Sequence, residues 1–147
     1  MPAGWAEYTD PGGAYTIAHP PGWTVEPGNP QTKFRDPGTG TYLLVDWTST
    51  PRADPVADWQ SQSGGFQARH DGYRTVRIEA ARYRDYNAAV WEFGYRDGGA
   101  DLHVANLGFV TGGRGYALYF QTHEENWAAS QPLFQQFQQA FRPAGGA

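Results

Sequence analysis

Glu92 stands between Trp91 and Phe93 in an apolar stretch of this 147-residue chain, and of all its carboxylates it has the best case for partial burial. Burial raises a carboxyl pKa, which is what a general base or a cation ligand exploits. The plainer reading pairs Glu92 with a nearby Arg or hydroxyl on a sheet, because a buried charge needs a partner. His103 falls almost opposite Gly94 if the intervening segment folds as a hairpin, with Asp101 two residues away on the same face. Glu92, His103 and Asp101 are a conceivable metal or proton-transfer set. No second His stands at i+2 or i+4 of His103, so the usual ligand spacing is missing and no metal is expected. His123-Glu124-Glu125 reads as acidic residues favoured by the dipole at a helix start.

Nucleophiles are scarce. The chain has no Cys, and Ser61, Ser63 and Ser130 lack the Gly-x-Ser-x-Gly setting of a hydrolase elbow. Gly112-Gly113-Arg114-Gly115 is Gly-rich but opens no helix, so it reads as a hairpin turn rather than an anion cradle. No catalytic residue and no cofactor is expected. The remaining polar cluster is Trp91, Asn106, Tyr119 and Gln121, with Gly108 leaving space beside Tyr119. Aromatic walls with two amides are the usual lining of a small-molecule or glycan pocket. The same four residues also suit a core in which amides satisfy each other beneath a helix.

The elements that carry these residues are mostly strands. Tyr73–Tyr83, Ala88–Arg96, Leu102–Thr111 and Gly115–His123 form an antiparallel meander with tight turns at Asp97-Gly98-Gly99-Ala100 and Gly112-Gly113-Arg114-Gly115. Ahead of it, Ala6–Thr9 and Ala14–Ala18 form an opening hairpin, and Thr32–Arg35 and Thr41–Thr48 two further strands. Asp54-Pro55 is a helix start, with Asp as N-cap and Pro at N1. A short first turn after His123 and then a second, main helix from about Gln131 to Phe141 are expected, with Ser130 as cap, Pro132 near N1, and Phe134, Phe137 and Phe141 on one stripe.

The first tight turn pairs Trp91 with Asn106, and the second is expected to pair Asn106 with Gln121 and Gly108 with Tyr119. One face then carries Trp91, Phe93, Tyr95, Leu102, Val104, Val110 and Tyr119, and the other Val90, Ala105, Leu107, Phe109, Leu118 and Phe120. Both faces are apolar and two helices are available to cover them. The expected fold is α+β, a three-layer α/β/α sandwich with a central antiparallel sheet.

Composition narrows the partners. Aromatic residues make up 16% of the chain, enough for a sizeable core or a binding surface. The net charge of −4 with scattered bases disfavours nucleic acid. No apolar run approaches the ~20 residues that span a bilayer, so no membrane insertion is expected of this segment. The length fits one domain over residues 1–147, with 1–5 and 143–147 as loose tails.

Tyr8-x-Asp10-Pro11 followed by Tyr15-Thr16-Ile17-Ala18-x-Pro20-x-Gly22-Trp23 resembles the opening of an actinobacterial domain. Phe34-Arg35-Asp36-Pro37, the Asp54-Pro55 helix start and Ala88-Ala89-Val90-Trp91-Glu92-Phe93-x-Tyr95 continue the likeness. His103-Val104-x-Asn106-x-Gly108-Phe109-Val110 and Tyr116-Ala117-Leu118-Tyr119-x-Gln121-Thr122 complete it. The domain it resembles is the extracellular C-terminal domain of some actinobacterial serine/threonine protein kinases, similar in fold to the Mog1/PsbP group. The resemblance implies a Mog1/PsbP-like fold and a cell-surface location, with the anchoring segment outside this sequence. It also implies a non-catalytic sensory or ligand-binding role, for a small molecule or a cell-wall component. The alternative is a protein–protein adaptor with no small ligand.

Overall fold

The computed structural model describes residues 2–145. The meander forms as its alternation dictates. Strands β6 (Asp71–Ala81), β7 (Asn87–Asp97), β8 (Ala100–Thr111) and β9 (Arg114–His123) are antiparallel neighbours in a seven-stranded sheet. β3 (Thr24–Glu26), β4 (Thr32–Arg35) and β5 (Tyr42–Thr48) complete it in the order β3-β4-β5-β9-β8-β7-β6. Gly98-Gly99 and Gly112-Gly113 take positive φ, the conformation that a two-residue hairpin turn needs at both central positions.

Trp91 pairs with Asn106, as the first turn predicts. The second hairpin is tighter than expected. Thr111 faces Arg114, so Asn106 pairs with Tyr119, Gly108 with Ala117, and Gln121 with Val104. The difference is two residues. Side chains alternate with a period of two, so every residue keeps its expected face.

The two faces have separate cores. On one, Val90, Ala105, Leu107, Phe109, Leu118 and Phe120 pack with Phe134, Phe137 and Phe141 of the C-terminal segment. A small sheet closes that side in the order β1-β2-β10, from β1 (Ala6–Thr9), β2 (Tyr15–His19) and β10 (Arg142–Pro143). On the other, Trp91, Phe93, Tyr95, Leu102 and Val104 pack against Trp59. Trp59 belongs to α1 (Pro55–Arg69), whose Asp54 N-cap accepts from the Ala57 amide. The fold is helix, antiparallel sheet, helix, as the two apolar faces require.

Two expectations need correction. The last helix, α2 (Trp127–Ala140), starts four residues before Gln131, after a 3-10 turn at Glu124–Asn126, and holds Pro132 inside it. Ser130 is not its cap. Pro132 is exposed, and early burial outweighs its missing amide: Trp127 stacks on His103 with ring centroids 3.9 Å apart. Nor are the tails loose where the structure describes them. Trp5 packs on Phe137, Pro143 is buried in β10, and the Ala144 amide donates to the Ala14 carbonyl. Positions 1, 146 and 147 lie outside the described residues.

Candidate ligand-binding groove

α1 packs mainly over β6 and β7, and less over β8. The same face of β9 and β5 has no helix above it, and a groove of about 860 Å3 runs there along the flank of α1. Its size is within the range of small-molecule sites. Leu44, Ala117 and Tyr119 supply a half-buried floor, and the Gln31–Asp46 and Gln62–Asp58 hydrogen-bonded pairs are part of its polar lining.

Gly108 sets how close the helix comes. A Cβ there would meet Trp59 Cζ2 at 2.5 Å, so only glycine lets the indole settle on the strand. Trp59 Nε1 then donates to the Ala89 carbonyl at 3.3 Å, which fixes the ring as one wall of the groove. The space the sequence offers at Gly108 is therefore filled by Trp59, not left open beside Tyr119.

The four predicted residues divide. Trp91, Asn106 and Tyr119 line the groove. Trp91 is nearly enclosed beneath α1, with its Nε1 donating to the Tyr73 hydroxyl at 3.0 Å. Asn106 is 8% exposed, and its Oδ1 is buried with no hydrogen-bond partner. Gln121 does not line the groove. Its Oε1 accepts from the Tyr95 hydroxyl at 2.6 Å and the Tyr42 hydroxyl at 3.0 Å, with the Tyr119 hydroxyl at 3.5 Å. Burial raises the pKa of all three phenols, so they stay neutral donors.

The acid–base residues meet on the opposite face. His103 Nε2 is 2.7 Å from Glu92 Oε2, and His103 Nδ1 is 2.6 Å from Glu124 Oε2. Arg77 donates to Glu92 Oε1 at 2.8 Å, and Arg74 pairs with Glu124. Burial opposes the Glu92 charge, but hydrogen bonds from Arg77 and His103 prevail and hold its carboxyl below the usual range. Burial lowers the His103 pKa, with Glu92 acting against it. Asp101 is not part of this cluster: it pairs with Arg96 in the open. Both His103 nitrogens face carboxylates and the ring is stacked on Trp127, so the cluster joins β6, β7 and β8 to the start of α2 and presents no free reactive atom. The structural reading of Glu92 as an Arg-paired carboxylate describes this arrangement, and Glu124 joins it as a residue the helix-dipole reading missed.

The pattern of the family described as serine/threonine kinase C-terminal domain matches residues 6–143. The chain belongs to that family. No curated protein matches it. Among solved structures it is similar to the cyanobacterial PsbP, CyanoP, of Synechocystis sp. PCC 6803, with a TM-score of 0.74 at 16% identity over 97% of this chain and 94% of that one. It is also similar to LpqN of Mycobacterium tuberculosis, a protein involved in cell envelope biogenesis, with a TM-score of 0.62 at 15% identity over 95% and 91%. A Pseudomonas aeruginosa protein of unknown function, PA94, matches with a TM-score of 0.62 at 12% identity over 95% and 96%. The fold is α+β and Mog1/PsbP-like. Among the described residues, neither helix is long and apolar enough to cross a membrane.

Proposed function

We propose that the chain is the non-catalytic sensory domain of a membrane-anchored serine/threonine protein kinase, works outside the cytoplasm, and binds a small or cell-wall-derived ligand in the groove beside α1. The observation that carries this reading is a groove about 860 Å3 in volume with Trp91, Asn106 and Tyr119 in its lining, where the Asn106 Oδ1 lies buried without a partner. A buried acceptor without a donor costs about 1–3 kcal/mol, so Asn106 is held at this position against a stability penalty. The family supports the kinase context. The role of LpqN in envelope biogenesis is consistent with an extracytoplasmic setting.

A non-catalytic role fits the layout. Catalysis needs an acid, base or nucleophile held against the bound group. The His103 cluster is on the far face of the sheet from the groove, with its contacts occupied. The adaptor alternative would be favoured by an apolar surface patch. Among the described residues, Val76 is the large apolar side chain that stands exposed, so no such patch supports it.

Tryptophan fluorescence tests the reading, because Trp59 and Trp91 line the groove. Titration with cell-wall fragments, sugars and small metabolites should give a saturable change that is absent from Tyr119→Ala. A flat response to all of them would leave the groove without a ligand-binding role.

A further inference from the structure

The groove's chemistry narrows its ligand. Its charged lining residues are Asp46, Asp58, Arg52 and Arg69, two of each sign. Several of these charges already have partners. Asp46 accepts from Gln31 Nε2 at 3.2 Å and from the Trp47 amide at 2.8 Å. Asp58 accepts from Gln62 Nε2 at 3.0 Å and faces Arg52 at 3.5 Å. A site so balanced gives little electrostatic reward to a phosphate, a carboxylate or a cation.

Extended peptides are also poorly served. The floor strands β8, β9 and β5 are each paired on both sides, so their main-chain groups are already used. A peptide lying across them would find no ladder hydrogen bonds, which are the main source of affinity when a strand adds to a sheet. What the floor does offer is the Asn106 carboxamide, its Oδ1 unpaired and buried, beside the half-buried Tyr119 ring, which stacks on Tyr42 on one side. A primary carboxamide both accepts and donates. That pairs with adjacent hydroxyls, and an aromatic ring accommodates the apolar face of a sugar.

We propose that the groove binds a neutral saccharide, with Asn106 hydrogen-bonding its hydroxyls and Tyr119 packing against its ring. This rests on the reading of the groove as a ligand site. It also assigns Asn106 a role that stability does not explain. Leu has nearly the shape of Asn, so Asn106→Leu would remove an unpaired buried amide and lose no hydrogen bond to Oδ1. A residue kept for packing would behave in the opposite way.

The test is protein-observed NMR and calorimetry of the whole chain. The probes are neutral oligosaccharides of α- and β-linked glucose and of N-acetylglucosamine, with triproline and inorganic phosphate as competing probes. We expect saturable binding of at least one oligosaccharide with a Kd of about 1 mM or tighter. Asn106→Leu should weaken it at least about tenfold while the melting midpoint stays level or rises. Ala117→Trp, which fills the floor, should block binding in a chain that still melts cooperatively.

If triproline or phosphate shifts the groove resonances and no saccharide does, the saccharide assignment is overturned while the groove remains a ligand site. If no probe shifts them at about 10 mM, both readings fall. A drop in the Asn106→Leu midpoint with oligosaccharide binding unchanged would make Asn106 structural and overturn its assigned role.

Discussion

The Trp59 indole rests directly on Gly108, with no room for a single added carbon: a Cβ at residue 108 would lie 2.5 Å from Trp59 Cζ2 and 2.9 Å from Cε2. This contact places α1 on one half of the sheet and leaves the other half as a groove. Gly108→Ala should therefore push the indole and helix outward. Overpacking of this kind costs about 1–3 kcal/mol. The expected result is a lower melting midpoint together with a red-shifted tryptophan emission. Unchanged emission would mean that the helix does not depend on this contact.

The opposite core depends on Phe137, which is fully buried and flanked by Trp5, Trp23 and Phe120. Phe137→Ala should cost about 3–5 kcal/mol, a large share of the stability of a domain this size. Urea unfolding measures it. A loss below about 1 kcal/mol would contradict the packing of α2 described here.

The Glu92 ion pair makes a pH prediction. Its carboxyl titrates lower in the folded chain than in the unfolded one, whose ordinary value is 4.5. The unfolded chain therefore takes up the proton first on acidification. The Glu92 contribution is fully present above pH 4.5 and is lost as pH falls through the folded pKa. Melting midpoints from pH 6 to about pH 3 should fall, and Glu92→Gln should flatten part of that slope. An equally steep slope in Glu92→Gln would place the acid sensitivity elsewhere.

Gln121 anchors the phenols behind the groove and should behave as a structural residue. Gln121→Leu leaves the Tyr42 and Tyr95 hydroxyls without their acceptor, at about 1–3 kcal/mol for each one left unsatisfied. Denaturation should show the loss, and Asn106→Leu should not share it. Equal stability losses in both variants would remove the distinction drawn between the two amides.

What could be read from the sequence was what local pattern controls. Period-two alternation assigned Val90, Ala105 and Leu107 to one face and Trp91, Phe93 and Val104 to the other, as found. The two-residue error in the second hairpin left those faces intact for the same reason. Contacts between distant segments were not legible. Arg77 reaches Glu92 from β6, which is displaced by irregular pairing between Thr75 and Arg77. Trp127 begins α2 because His103, 24 positions earlier, offers it a ring to stack on. Gly108 reads from the sequence as open space beside Tyr119, and only the fold shows that Trp59 fills it.

The central claim is that ligand binds on the uncovered half-sheet beside α1. The most direct measurement is backbone amide NMR of the labelled chain, with any ligand that gives a saturable fluorescence change. The account predicts the largest shifts at Leu44, Asn106, Ala117 and Tyr119 and along the α1 flank from Asp58 to Phe66, with little change in β1, β2 and β10. Shifts concentrated on β1, β2 and α2, or along the β6 edge, with the groove residues unmoved, would contradict it.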